Sequence, residues 1–174
     1  MDIDQVNPEL GFVVSTDTWC GEYFVPNPSA YPNSSITPAE TDSWKISYIY
    51  IRFKKLGSPG GTTTVQLRGA GADRLPTAEL IQQWQVVEKD LSGTTWTQKG
   101  FAVINGSWLP PSQGLCVVVK PASGTDTCQV LHQQTVVPDG NAAFFASTDG
   151  GTTWVMKPGF SMTRFRIYAT LKTA

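Results

Sequence analysis

Residues 144–154 read Phe144-Phe145-Ala146-Ser147-Thr148-Asp149-Gly150-Gly151-Thr152-Thr153-Trp154. An apolar run, a polar turn with two glycines and a return through Thr-Thr-Trp-Val predict a β-hairpin. Asp149 carries a short acceptor side chain that can take hydrogen bonds from backbone N–H groups two or three residues on. Gly150 and Gly151 can adopt the positive φ that a tight turn requires. Trp154 opens the return strand and can pack beside Phe144 or Phe145 across the pair. The stretch is therefore assigned to a structural turn rather than to direct chemistry.

The flanking chain has the same character. Trp44–Leu56 is the strongest strand, with Ile46, Ile49, Ile51 and Phe53 facing a core and Tyr48, Tyr50, Arg52 and Lys54 facing out. The step of three from Ile46 to Ile49 predicts a bulge or the start of the strand. Gly57-Ser58-Pro59-Gly60-Gly61 is a turn cluster, and Thr62–Arg68 is expected as the hairpin partner beyond it. Residues 78–88, AELIQQWQVVE, carry both a helical stripe (Leu80, Ile81, Trp84, Val87) and strand-forming valines; the all-β surroundings favour a strand. Trp96–Ile104 is a further strand. Gly114–Lys120 reads as a buried strand, with Thr127–Val137 expected beside it, and Ser161–Leu171 closes the chain. Trp19–Val25 is a strand ended by Pro26, and Gly11–Val14 is a short strand or an apolar anchor. The total is about nine or ten strands with turn signals roughly every dozen residues. The fold class expected is all-β, a single-domain antiparallel jelly-roll β-sandwich with an extended N-terminal arm.

With 174 residues the chain suits one domain, burying roughly 70% of its unfolded surface. Only 16% of residues are charged and the net charge is −1, so no bulk field points to nucleic acid or to a membrane surface. No apolar run is long enough to span a bilayer as a helix, and the N-terminus MDIDQVNPEL lacks an apolar signal core. Cys20, Cys116 and Cys128 form an odd, sparse set without C-x-x-C. Buried thiols are expected, with one bridge between Cys116 and Cys128 as the alternative.

Charge is unevenly placed. Residues 1–42 hold Asp2, Asp4, Glu9, Asp17, Glu22, Glu40 and Asp42 and no Lys or Arg; all 13 basic residues follow. Residues 26–43 hold Pro26, Pro28, Pro32 and Pro38, which rule out a central strand there. Residues 1–43 are thus an acidic, proline-rich arm with the first strand, and 44–174 the sandwich proper. The arm is either a solvated loop against a slightly basic body or a segment that docks on a basic patch of a neighbouring subunit.

Catalytic constellations do not assemble. His132, the sole histidine, lies in a strand without a second ligand at metal-binding spacing. Asp73, Glu79, Glu88 and Asp90 show no spacing that argues for a facing carboxylate pair. No cofactor is expected; Asp126, Asp139 and Asp149 stand in loops of a kind that can hold Ca²⁺. The aromatic residues are the better lead. Trp84, Trp96 and Trp108 lie near loops or outer faces, where their rings can stack on sugars, with Gln82, Gln83 or Asn105 supplying hydrogen bonds. The same rings can seal a protein–protein interface.

Ser147, Asp149, Gly151, Thr153 and Trp154 fill the fixed positions of Ser-x-Asp-x-Gly-x-Thr-Trp, so the stretch resembles the Asp-box, which in sialidases is a folding device away from the catalytic centre. From Trp44 to Tyr168 the order of features resembles a jelly-roll module of phage and archaeal virion proteins and of surface glycan-binding proteins. The carriers are IYIRFKK into Gly57-Ser58-Pro59, Leu75-Pro76-Thr77 before Leu80, Trp96 before an apolar strand, Leu109 before Gly114–Val119, the Ser147–Trp154 box, and Phe165-Arg166-Ile167-Tyr168. The region before Trp44 is unmatched. The resemblance implies a non-enzymatic virion protein, a capsid decoration or tail-associated subunit in an oligomeric assembly with other virion subunits. The alternative it implies is an extracellular carbohydrate-binding module for host or surface glycans. Function does not follow from fold alone.

Overall fold

The computed structural model describes residues 10–26, 40–57, 60–123, 128–134, 141–162 and 165–173. Twelve strands are found among them: β1 (Leu10–Val14), β2 (Trp19–Phe24), β3 (Thr41–Lys55), β4 (Thr62–Ala70), β5 (Pro76–Val87), β6 (Thr97–Ala102), β7 (Leu115–Ser123), β8 (Cys128–Gln134), β9 (Ala142–Ser147), β10 (Val155–Met156), β11 (Phe160–Met162) and β12 (Arg166–Thr173). They form two antiparallel six-stranded sheets, the all-β sandwich that the alternation of apolar and polar residues predicts.

The second sheet runs β10-β9-β2-β7-β4-β5. In the first, β3 is the long spine. β6 lies along one side, while β8 and β12 share the other: Phe53–Lys55 pair with β8, and residues 41–50 pair with β12. Beyond Phe53 the strands β3 and β8 part, and β11 takes over the vacated side of β8. β1 borders the far side of β8.

The inner faces meet in one apolar cluster, built on Ile46, Ile49, Ile51 and Phe53 from β3, Val65 and Leu67 from β4, and Val117 and Val119 from β7. The bulge foreseen at Ile46–Ile49 is present: the register against β12 shifts between Ile46 and Tyr48. Ser47, left over, donates its hydroxyl to Tyr168 O at 3.1 Å, and its carbonyl accepts Val103 N at 2.9 Å. A second bulge, at Ile81, resolves the mixed pattern of β5. Leu80 opposes Arg68 while Gln82 opposes Leu67, so Ile81 and Trp84 both reach the core from a strand. The outer side of β4 and β5 is a polar ladder, with Gln66 bonding Gln83 and Thr64 bonding Gln85.

Three pairing expectations need correction. Thr62–Arg68 is not the hairpin partner of the Trp44–Leu56 strand; β4 joins β5 and β7 in the opposite sheet, and the turn after Lys55 carries the chain between layers. Ser58 and Pro59 of that turn lie outside the described residues. The strand near Thr127–Val137 does not pair with β7: β8 sits in the first sheet, and β7 lies between β2 and β4. The closing segment is two strands, β11 and β12, on different partners. Adjacency in sequence misled here because a sandwich connection crosses between layers as readily as it turns back.

Within the segment expected as an arm, β1 is an edge strand and β2 lies between β9 and β7; residues 1–9 and 27–39 fall outside the described residues. All three cysteines are free and buried. Cys20 and Cys128 belong to the central core, whereas Cys116 belongs to a separate cluster with Tyr23, Val118 and Phe145 on the outside of the second sheet. Burial pushes the Cys128 thiol up to about 12, against the lowering effect of its hydrogen bond with Thr63.

Candidate functional site

The Ser147–Trp154 turn is closed by its own side chains. Ser147 Oγ donates to Asp149 Oδ1 at 2.7 Å and accepts Gly151 N at 2.8 Å. Asp149 Oδ1 accepts Thr153 N at 2.9 Å, and Oδ2 accepts the Thr153 hydroxyl at 2.6 Å. The backbone donor thus lies four residues on, not two or three. These bonds, the Thr153 hydroxyl first, hold the Asp149 carboxyl down to about 2. Gly150 and Gly151 have φ of 67° and 82°, and a Cβ on Gly151 would run into the Trp19 ring. The turn docks on the β1–β2 connection through Gly150 N to Asp17 O at 2.9 Å. Trp154 packs edge-on to Phe145 at 5.2 Å and beside Trp19 at 6.2 Å. It covers the outer cluster of the second sheet, and both Asp149 oxygens are engaged within the turn. Asp126 and Asp139 lie outside the described residues.

Trp84, Trp96 and Trp108 occupy three different settings. Trp84 points inward from β5, packs on Phe101 at 5.4 Å and donates Nε1 to Ala102 O at 3.2 Å. Gln82 uses both ends of its amide on the same loop: Nε2 donates to Ala102 O, and Oε1 accepts Ile104 N and Asn105 N. Gln82 and Trp84 therefore tie β5 to the strand facing it and seal the side of the sandwich. Trp96 lies half-buried beneath Lys54, whose Nζ stands 5.7 Å from its ring centre. Trp108 is 48% exposed. It stands in the loop that lines a cleft of about 260 Å³ between Leu80, Ile81, Asn105, Ser107 and Leu109, where Glu79 is the single lining carboxylate. Leu80 and Ile104 are also exposed there. Of the other carboxylates weighed for hydrolysis, Glu88 is buried and accepts the Thr63 hydroxyl at 2.7 Å, and Asp73 accepts Leu75 N within a turn.

His132 faces the core. Its ring stacks on Phe144 at 5.6 Å, Nδ1 lies 3.1 Å from Leu10 O, and desolvation lowers its pKa. Among the described residues no group of three His, Cys, Asp or Glu is placed to hold a metal ion, and no helix is long and apolar enough to cross a membrane.

One surface was not singled out from the sequence. On the outside of the first sheet, Tyr48 and Tyr50 from β3 meet Tyr168 from β12, with ring centres 4.8 Å and 5.8 Å apart along the series. Gly100 of β6 lies beneath, and a Cβ there would strike the rings of Tyr48 and Tyr50. The Tyr48 and Tyr50 rings therefore occupy the space that the glycine leaves open. Tyr168 is 53% exposed. Register places Arg166 opposite Tyr50, Lys45 opposite Thr170, and Lys172 opposite Ser43, all on this face. No Asp or Glu occupies the paired outward positions of β3, β6 and β12 around them; the nearest acid on β3 is Asp42, at the bulge beyond Ser43, whose carboxylate accepts the Ser43 hydroxyl at 3.4 Å. The Tyr48–Tyr50 spacing was visible in the sequence; the arrival of Tyr168 required the β3–β12 register.

No protein family and no curated protein matches this sequence. Among solved structures, the chain is similar to one from the structure of infectious bursal disease virus, Gx strain. The identity is 10% and the TM-score 0.30, over 94% of this chain and 36% of that one. The chain thus spans about a third of the length of the structure it matches, and a TM-score that low carries neither fold nor function across.

Proposed function

We propose that the protein is a non-enzymatic virion component, a capsid-decorating or tail-associated accessory subunit, that acts through protein–protein contacts. The observation that supports this reading is the open face of the first sheet, where Tyr48, Tyr50 and Tyr168 cluster among Arg166, Lys45 and Lys172. Tyrosine and arginine are the side chains that anchor interfaces, because each gives a large rigid contact with a polar end. The Ser147–Trp154 turn serves as an Asp-box-like folding clamp in this reading, and needs no metal. The test is to probe purified virions with an antibody against the protein and to repeat the assay with Tyr50→Ala/Tyr168→Ala. Stoichiometric presence of the wild type and loss of the folded variant are expected. Absence of the wild type from particles would sink the idea.

A carbohydrate-binding role is a second reading, favoured by Trp108, exposed beside the cleft with Asn105 and Ser107 at hand. Glycan-array binding that disappears in Trp108→Ala would favour it over the first.

A further inference from the structure

We propose that the tyrosine face of the first sheet is the docking site for the acidic N-terminal segment, residues 1–9, of a second copy of this chain; the idea rests on the protein-contact reading above. The structure first narrows which acids of residues 1–42 can serve. Glu22 is buried between the sheets, Asp17 lies in the connection that receives the Ser147–Trp154 turn, and Glu40 and Asp42 stand at the start of β3, the strand that carries the tyrosine face itself. Asp2, Asp4 and Glu9 remain together within nine residues that contain no Lys or Arg, interleaved with Ile3 and Val6.

The opposite composition is found on the outer face of β3 and β12. Lys45, Arg166 and Lys172 flank Tyr48, Tyr50 and Tyr168, with no acid in the paired rows and Asp42 alone at the bulge that ends them. Carboxylates suit the cations, and the interleaved apolar side chains suit the ring faces. A second copy is favoured over the chain's own segment by two observations. Tyr168 stays 53% exposed in the single chain. Residues 1–9 join the sandwich at β1, which borders the far side of β8 from β3 and β12.

The experiment uses the purified full-length chain in sedimentation equilibrium at low (about 0.02 M) and high (about 0.5 M) salt. Wild type is compared with Asp2→Asn/Asp4→Asn/Glu9→Gln, with Arg166→Glu/Lys172→Glu, and with a charge swap joining Asp2→Lys/Asp4→Lys/Glu9→Lys to Arg166→Glu/Lys172→Glu. Circular dichroism confirms that each variant is folded. Expected is self-association of the wild type that weakens at least tenfold at high salt and in either single-sided variant, and returns in the swap. A wild type that stays monomeric, a neutralised N-terminus that associates as before, or a swap that fails to restore association each overturns the proposal. So does a monomeric wild type whose tyrosine face binds polygalacturonate, which would make the occupant an acidic glycan. A wild type that stays monomeric yet is present in virions overturns the docking and leaves the virion reading standing. Charge-dependent association of a protein absent from virions does the reverse.

Discussion

Glu22 offers the sharpest test of the packing. It projects from β2 into the interior, is 1% exposed, and accepts Met162 N of β11 at 3.0 Å through Oε2. Desolvation pushes its carboxyl from 4.5 up to about 8, opposed only in part by that hydrogen bond. The neighbouring Cys20 thiol is itself raised well above the ordinary thiol value by burial and stays neutral. Because the folded value exceeds the unfolded one, folding takes up a proton. The stabilising effect is complete below pH 4.5 and is lost as the pH rises to about 8. Each pH unit in that interval costs about 1.4 kcal/mol, so this one group makes the protein ~3 kcal/mol less stable at pH 7 than at pH 4.5. That is a large share of a typical folding free energy of roughly 5–15 kcal/mol. Glu22→Gln keeps an acceptor for Met162 N and removes the titration. Its extra amide hydrogen costs about 1–2 kcal/mol at every pH, which shifts the whole curve without tilting it. Urea unfolding of both proteins across pH 4.5–8.5 measures the difference. The variant is expected to gain on the wild type steadily with pH and to level off above about 8. Parallel curves would refute the buried, protonated carboxyl.

Asp149→Ala should lower the melting temperature by releasing Thr153 N, the Thr153 hydroxyl and Ser147 Oγ. With the folded Asp149 held to about 2, the gap between wild type and variant should be full above pH 4 and close as the pH falls towards 2; a gap unchanged at low pH would contradict the hydrogen bonding. Trp44→Phe should cost roughly 1–3 kcal/mol in chemical denaturation, because Trp44 Nε1 donates to Pro110 O and Gln113 O, both at 3.1 Å, and pins the loop before β7. A neutral result would show that solvent replaces those bonds. Cys20, Cys116 and Cys128 should resist a thiol reagent in the native state and react together on unfolding; immediate labelling of one would place it at the surface.

What the sequence determined by itself is local. Alternation marked Ile46 to Phe53 as a core strand, and the step of three at Ile46–Ile49 marked a bulge or a strand start, because side-chain direction in a strand has a period of two whatever the partner; the register against β12 decided for the bulge. The Ser147–Trp154 turn was equally legible, since its acceptors and donors lie within a few residues of one another. Tertiary structure alone decided the rest. Gly114–Lys120 reads as buried, but nothing local tells whether β2, β4 or β8 lies beside it. Glu22 reads as one acid of a charged arm, until β2 is seen between β7 and β9 with β11 across the interior. Trp84 and Gln82 read as candidate sugar contacts, and the facing β6 turns them into a seam. Tyr168 joins Tyr48 and Tyr50 only through a register set more than a hundred residues apart along the chain. Pairing depends on which apolar faces can be buried together, and that is a property of both sheets at once.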